Sequence, residues 1–280
     1  MIIDTHLHVV DKGALRYPWL SGAPSLNRDF SYEDYAREAR RCGITDVLFM
    51  EVDVHPDDID KEIAYVKTKA DAADSLLRGM FAACRPEEDG FAAQLERYRS
   101  DGFIKGFRRI LHTVPGDPSA SPVFRENVKR LSGTGLTFDL CVFPHQHERA
   151  IELIDFAPDV QFVLDHCGLP DIKGLKAHPW RETMAEIARR PNVIGKISGI
   201  LPYTDTETWT AETLRPWIEH AIGVFGWDRV VWASDWPVCT QGGSLSTWVA
   251  ATQALLVGAS ATEKAALFSG NATRIWGLGR

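Results

Sequence analysis

Cysteine is scarce in this sequence: there are five in 280 residues, an odd number, and none form a Cys-x-x-Cys pair. This pattern fits neither a disulfide framework nor a structural zinc site. Apolar runs are also short, and Ile44–Met50, one of the longest, is far too short to span a bilayer. No basic segment precedes the first acidic residue, Asp4, so no signal peptide is predicted. We therefore expect a cytoplasmic protein whose thiols are reduced.

Runs of positive charge are absent as well. The chain has 31 Lys and Arg against 38 Asp and Glu, which gives a formal net charge of −7. An acidic chain of this kind is not expected to bind nucleic acid or an anionic membrane. Hydrophobic residues make up 45% and charged residues 25%, which is typical of a soluble globular protein. The expected partner is a small-molecule substrate, and the sequence predicts no particular oligomeric state.

No linker or low-complexity segment divides the chain, so we expect one domain over residues 1–280. Eight short β-branched runs alternate with segments of helical spacing, which predicts a (β/α)8 TIM barrel. An open doubly wound sheet usually has a glycine-rich loop after its first strand, where this chain has His-Leu-His. The residues after Ala261 predict a C-terminal helical extension. The strands are predicted at 2–9, 45–51, 77–84, 103–110, 136–142, 160–167, 193–199 and 229–236.

Polar side chains that can bind a metal gather at the predicted carboxyl ends of these strands, where barrel enzymes have their active sites. His6 and His8 are two apart on strand 1, so both are expected to face inward, with Asp4 on the same face one layer deeper. His166 follows strand 6 and Asp235 ends strand 8. Three imidazoles and one carboxylate suit zinc or another divalent ion. The prediction depends on the joint pattern, because a lone histidine at a strand end is more often a hydrogen-bonded core residue.

These motifs resemble the amidohydrolase superfamily, and within it the amidohydrolase-related lactonases that hydrolyse sugar lactones and dicarboxylate lactones. The resemblance covers the whole chain, and the Ser-Asp-Trp-Pro sequence at 234–237 is its most specific part. The segments that carry the resemblance are 4–8, 164–168 and 233–238, with further likeness at 16–20, 106–109 and 144–146.

The resemblance implies a role for each of these groups. Asp235 would be the general base that activates water, or a metal ligand that also takes the proton of that water. His6, His8 and His166 would bind one divalent ion, with zinc or manganese favoured, or would donate hydrogen bonds to the oxyanion if no metal takes part. Phe107 and the two arginines after it occupy strand 4, where binuclear members have a bridging ligand, so a second ion is not expected.

Further side chains are candidates for substrate binding. Arg108 and Arg109 are suited to hold carboxylate or lactone oxygens, and because neighbouring strand residues face opposite ways only one of them should enter the pocket. Lys196 on strand 7 is either a pocket cation or a paired surface group. The full set of predicted substrate-binding residues is Trp19, Glu51, Arg108, Arg109, His145 and Trp236.

The sequence is therefore interpreted as a hydrolase acting on carboxylic ester bonds. Its expected substrate is a sugar aldonolactone of the L-fucono, L-rhamnono or galactono type, opened by attack of water on the ring carbonyl. Two alternatives remain open: hydrolysis of carboxylated lactones of the muconolactone or pyrone dicarboxylate type, and metal-dependent decarboxylation on the same barrel. A cysteine hydrolase is disfavoured, because Cys167 should not share the face of its neighbour His166.

Overall fold

The computed structural model describes residues 1–278 and has eight parallel strands, each paired with the next along the chain. Each strand begins within one residue of its predicted start, whereas β1, β6, β7 and β8 end two to four residues early. Those ends carry the site described below. The strands are β1 (Ile2–Leu7), β2 (Ile44–Met50), β3 (Leu77–Ala83), β4 (Ile104–Ile110), β5 (Thr137–Cys141), β6 (Gln161–Leu164), β7 (Val193–Ile197) and β8 (Val230–Trp232).

The sheet closes between its first and last strands. Leu7 forms a parallel bridge with Trp236, just beyond β8. The His8 N–H donates to the Trp236 carbonyl at 2.8 Å, and the Asp235 N–H donates to the His6 carbonyl at 3.0 Å. The predicted (β/α)8 barrel is thus confirmed, and its closing hydrogen bonds are made by residues of the predicted site.

Helices follow the strands and cover the outside of the barrel. The first begins where Ser31 accepts a hydrogen bond from the Asp34 N–H at 3.1 Å, which satisfies a free donor of the first turn. Its apolar side chains, such as Tyr35, are buried against the strands. The helices are α1 (Tyr32–Arg41), α2 (Ile59–Ala70), α3 (Phe91–Tyr98), α4 (Pro122–Lys129), α5 (His147–Phe156), α6 (Trp180–Ala188), α7 (Ala211–Phe225), α8 (Leu245–Leu255), α9 (Ala261–Ala265) and α10 (Asn271–Trp276).

The interior of the barrel is apolar at the end opposite the predicted site. Ile3, Leu48 and Phe81 pack there against Trp276, which α10 brings across from the end of the helical extension. The Trp276 ring meets the Phe81 ring edge-on at 5.3 Å. The Asn271 side chain fixes the start of α10 by donating to two backbone carbonyls at 2.7 Å. The extension predicted from the sequence therefore forms the floor of the barrel.

The helices were also compared with the length and hydropathy that a membrane span requires. Within residues 1–278 no helix is both long enough and apolar enough to cross a bilayer. The longest, α7, has 15 residues, whereas a transmembrane helix needs about 20.

Candidate active site

β1 contributes two histidines to the upper part of the barrel. The pairing of β1 with β2 shifts register between Asp4 and Leu7. Beyond this shift, His6 and His8 lie on the inside with their Nε2 atoms 3.1 Å apart. Before it, the Asp4 carboxylate faces the helix layer and accepts a hydrogen bond from the Tyr35 hydroxyl at 2.6 Å. The prediction that Asp4 shares the inward face is wrong, because the irregularity interrupts the alternation of side chains.

The chain after β6 takes a left-handed turn. Residues 166–169 all have φ values between 50° and 66°, a conformation that costs about 1–2 kcal/mol for each residue other than glycine. As a result Asp165 and His166 both point into the barrel, although neighbours in a regular strand point apart. The Cys167 sulfur lies on the other side, 3.7 Å from the Lys196 carbonyl. Burial raises the pKa of Cys167 to about 12, so it is not a thiolate nucleophile.

Asp235 faces the histidines from the end of β8. Its φ of 56° turns the carboxylate inward, and only 3% of the residue is exposed. One oxygen, Oδ1, lies 3.4 Å from Nε2 of His8, 3.7 Å from Nε2 of His6 and 3.9 Å from Nε2 of His166. Four residues from three strand ends thus converge on one point, as the sequence suggested. Two overlapping groups have metal-binding geometry: His6, His8 and Asp235, and His6, Asp165 and His166.

The polar contacts of His8 indicate where its proton lies, and donors approach the His6 ring from two sides. His8 Nδ1 is 3.0 Å from the Met50 carbonyl, which only accepts, so Nδ1 holds the proton and Nε2 has a free lone pair. His6 has a donor beside each ring nitrogen: the Arg108 guanidinium is 3.1 Å from Nε2, and the Lys196 ammonium is 3.2 Å from Nδ1. Nδ1 of His6 also lies 3.5 Å from the Asp165 carboxylate. The Nε2 atoms of His6 and His8 face each other at 3.1 Å, and a cation between them would accept a lone pair from each ring.

The donor set fits a divalent ion on this reasoning. Zinc binds imidazole nitrogen at about 2.0–2.1 Å, so neighbouring ligand atoms of a tetrahedral site are about 3.3 Å apart. The separations among His6, His8 and Asp235 lie between 3.1 and 3.7 Å. Metal binding also needs neutral imidazoles. Burial, and then the charge of Lys196, lower the pKa of His6 well below its usual range, and burial lowers the pKa of His166.

Arg108 is the arginine of β4 that enters the cavity, and it is held in place from behind. Its Nε donates to the Glu51 carboxylate at 2.5 Å, and Nη2 donates to the Glu51 carbonyl at 2.7 Å. Glu51 also accepts the Asp53 N–H at 2.7 Å and is only 1% exposed. Glu51 was predicted to bind substrate, but it lies behind the cavity wall. Its carboxylate neutralises Arg108 there and does not line the cavity. Arg109 faces away from the cavity and pairs with Glu87 at 2.7 Å.

Beneath the histidines lies a fully buried charged cluster. The Lys196 ammonium is 2.6 Å from the Asp139 carboxylate and 2.8 Å from that of Asp165, and it is completely enclosed. Although burial acts to raise it, the pKa of Asp165 is held well below its usual range by Lys196 and His6. Neither expectation for Lys196 is correct: it is neither a pocket cation nor a surface group. The positive charge of Lys196 stabilises the ionised carboxylate of Asp165 beside His6.

The cavity above these residues has a volume of about 220 Å³. Trp19 is part of its wall, as predicted, and its indole N–H donates to the Val52 carbonyl at 2.8 Å. Trp236 does not reach the cavity and packs in the core against Phe30 and Tyr35. His145 borders a separate surface cavity. The wall is formed by His8, Val10, Trp19, Leu26, Val52, Asp53, Arg108, Ile110, His112, Thr113, Cys141, His166, Gly199, Tyr203, Asp235, Pro237 and Val238.

Three polar residues of this wall were not singled out as substrate-binding from the sequence: His112, Thr113 and Tyr203. Each comes two to six residues after the end of a strand, in the loops that surround a barrel site. Their position shortly after a strand end is the feature of the sequence that could have identified them as cavity residues, but many other loop residues share that position. Burial lowers the pKa of His112 to about 4, so its imidazole is neutral near pH 7.

Fold and site together are those of an enzyme built on a (β/α)8 barrel, with its candidate site at the carboxyl ends of the strands. The chain belongs to the amidohydrolase family, whose model matches residues 3–278. This confirms the resemblance inferred from the motifs and the prediction of a hydrolase.

Individual relatives cover most or all of the chain. A protein of Sinorhizobium fredii is 29% identical over 98% of both chains. An L-fucono-1,5-lactonase of Burkholderia ambifaria is 27% identical over 67% of this chain and 66% of its own length. Among solved structures, an amidohydrolase of Burkholderia multivorans with bound zinc has a TM-score of 0.88 and 23% identity, with full coverage of both chains. At that identity the structural match supports the fold alone.

Proposed function

We propose that this protein hydrolyses a lactone, and that the lactone is an uncharged sugar aldonolactone. Lactone hydrolysis is supported by relatives named as lactonases, at 27% identity for the one described above. The observation that carries the proposal is the position of Asp235, whose Oδ1 lies within 3.9 Å of three imidazole Nε2 atoms at the base of a small cavity. Hydrolysis of a ring carbonyl requires a base with room for a water molecule beside it, and groups that polarise the carbonyl.

Asp235 moves the protons in the proposed reaction. Its carboxylate takes a proton from water as the water oxygen bonds to the lactone carbonyl carbon, and the carbonyl oxygen becomes an oxyanion. The bond between that carbon and the ring oxygen then breaks, and the ring oxygen takes the proton back from Asp235. One water and one lactone thus give one hydroxy acid, and the aspartate returns to its ionised form.

We further propose that the site holds one zinc ion. His6, His8, His166 and Asp235 would hold it, since nitrogen-rich sets of this kind favour zinc over magnesium or calcium. When bound, zinc polarises a carbonyl group and lowers the pKa of water. Asp165 and the Met50 carbonyl fix the orientation of His6 and His8 from behind, which is the usual arrangement around a metal-binding histidine.

The charges of the cavity favour a neutral lactone over a carboxylated one. Arg108 is the guanidinium in the wall, and Glu51 neutralises it at 2.5 Å. Asp53 adds a carboxylate to the wall and pairs with Arg85 at 3.1 Å. A substrate carboxylate would therefore find no unpaired guanidinium in this wall, because Arg108 and Arg85 are each already paired with a carboxylate. Hydroxyl groups of a sugar ring can donate to the Asp53 carboxylate, and the apolar wall around Trp19 suits the face of a sugar ring.

A pH-indicator assay tests this proposal. The purified protein is given five- and six-membered sugar lactones, with a muconolactone and a pyrone dicarboxylate for comparison, before and after chelation. Metal content is measured on the same batches. We expect opening of neutral sugar lactones that is lost with chelator and restored by Zn²⁺.

The other results discriminate among the alternatives. Full activity in metal-free protein would leave lactone hydrolysis intact but refute the zinc ion. Turnover of the carboxylated lactones alone would refute the choice of a neutral substrate. If no lactone is opened, the hydrolase proposal fails, and release of CO₂ from hydroxybenzoates is the reaction to test next.

A further inference from the structure

Tyr203 is held rigidly at the rim of the barrel. It ends a short 3-10 turn, Leu201–Tyr203, that follows β7 after three residues. Its N–H donates to the Ile200 carbonyl at 3.1 Å, and its carbonyl accepts the Lys173 N–H at 2.7 Å. The ring packs edge-on against Phe143 at 6.2 Å. The backbone and the ring are thus fixed, and the side chain forms part of the same wall as Asp235.

The hydroxyl of Tyr203 has no partner among residues 1–278. Two other donors of the wall are already engaged, since the Trp19 indole bonds to Val52 and Arg108 bonds to Glu51. Nδ1 of His112, on the same wall, also has no partner within residues 1–278. Tyr203 therefore offers a free O–H donor to whatever occupies the cavity. Burial raises the pKa of Tyr203, and the Asp235 carboxylate raises it further, so the phenol keeps its proton.

We propose that the Tyr203 hydroxyl donates a hydrogen bond to the carbonyl oxygen of the substrate and stabilises the oxyanion that forms there. This inference rests on the proposed lactone hydrolysis and adds a residue that neither the motifs nor the family match assigns. A donor on the cavity wall that has no partner in the protein can form its hydrogen bond with an acceptor that the ligand supplies. A donor fixed before the substrate arrives needs no reorganisation as charge develops.

The assignment to the reacting carbonyl, rather than to a sugar hydroxyl, follows from the neighbours of Tyr203. Tyr203, which is partly buried, lines the same cavity of about 220 Å³ as Asp235 and His166. The proposed attack of water takes place beside Asp235, so the acyl group of the lactone lies at this level. The mouth of the cavity is instead formed by exposed residues such as Thr113.

The test is Tyr203→Phe, which keeps the ring packed on Phe143 and removes only the oxygen. On the neutral sugar lactone that wild type opens fastest, we expect kcat to fall by about 10²- to 10³-fold, the usual effect of losing one oxyanion donor. KM should stay within about threefold. Tyr98→Phe is the matched control, because the Tyr98 hydroxyl bonds to Asp60 on the surface, and it should leave both constants unchanged.

Binding of stable analogues gives a second readout that does not depend on turnover. A cyclic phosphonate, which imitates the oxyanion, should bind Tyr203→Phe about 10²-fold more weakly than wild type. The corresponding sugar lactam, which has a neutral carbonyl, should bind both within about threefold.

Each remaining outcome overturns the inference. A kcat within twofold of wild type, or a rise in KM alone, would refute the role of Tyr203 while lactone hydrolysis by the wild type still stands. If the wild type opens no lactone, the proposed function fails and the role of Tyr203 fails with it.

Discussion

A β-carbon on Gly199 would lie 2.2 Å from Nδ1 of His166, far inside the contact distance of two heavy atoms. Gly199 also has a φ of 63°, a left-handed backbone conformation that residues other than glycine adopt at a cost in free energy. The residue before it, Ser198, meets the same ring nitrogen at 2.9 Å. The residues after β7 therefore position His166 in two ways. The Ser198 hydroxyl bonds to its ring, and Gly199 leaves room for the ring because it has no side chain.

Gly199→Ala should displace His166 from the site. We expect a fall in kcat/KM of at least about tenfold and weaker zinc binding, because a misplaced ligand typically costs 10- to 100-fold in affinity. Gly223→Ala is the control: this glycine lies on α7 with open space around it, and alanine is the better helix former. Equal activity of the two variants would show that the position of His166 does not matter.

Asp235→Asn should lower kcat by about 10²- to 10⁴-fold, because an amide cannot take the proton from water. The amide keeps nearly the same shape, so the circular dichroism spectrum and melting temperature should stay close to wild type. A variant that retains more than a tenth of the wild-type rate would remove Asp235 from the mechanism.

Single asparagine replacements of His6, His8 and His166 should each reduce bound zinc to well below one ion per chain and reduce turnover. The matched controls are His178, which is exposed and pairs with Glu182, and His220 on α7, which bonds to the Arg181 carbonyl. Zinc is measured by elemental analysis after dialysis. Similar losses in both sets would contradict the proposed ligands.

His147 should make the fold sensitive to acid. It is fully buried, its ring bonds to the Gly168 carbonyl and the Thr183 hydroxyl, and burial lowers its pKa to about 4. Because the unfolded chain holds this proton below about pH 6.5, stability is complete above that value and falls between pH 6.5 and 4. The full difference corresponds to about 3 kcal/mol.

Urea unfolding across this pH range measures the effect. His147→Gln should be less stable at pH 7 but should lose less stability than wild type on acidification. The same slope in both proteins would show that other groups cause the acid sensitivity. His178→Gln, at the exposed site, should follow the wild-type slope.

Asp53→Asn should relax the discrimination against charged lactones. Removing this carboxylate leaves Arg85 without its partner beside the cavity, so kcat/KM for a carboxylated lactone should rise by about tenfold. The value for a neutral sugar lactone should stay within about threefold. Asp89→Asn, at an exposed position, should change neither value. If both substrates respond alike to Asp53→Asn, charge is not the basis of selection.

The alternation of strands and helices was sufficient to predict the barrel, because each element buries one face and repeats at a regular spacing. The three histidines and Asp235 could also be placed together, since all four come near strand ends and parallel strands end on one side of a barrel. Arg108 rather than Arg109 enters the cavity, in agreement with the rule that only one of two neighbours can do so.

The parts that could not be predicted depend on local departures from regular strands and on pairs distant in sequence. The left-handed turn at 166–169 places Asp165 beside His166, and a non-glycine residue in that conformation gives no sequence signal. Lys196 meets Asp139 and Asp165 from separate strands, and Glu51 meets Arg108 across 57 positions. Such pairs depend on register and on burial, which a single sequence does not specify.

Because Trp276 closes the floor of the barrel, the protein completes its fold late in synthesis. Ile3 on the first strand packs in the same cluster as Trp276, so the ribosome must add more than 270 residues between the two partners. At about 5–20 residues per second, this takes roughly 15 to 55 seconds. During that interval the apolar side chains of β1 and β2 have no floor to cover them, and the nascent chain depends on its early helices, or on a chaperone, to remain free of aggregation.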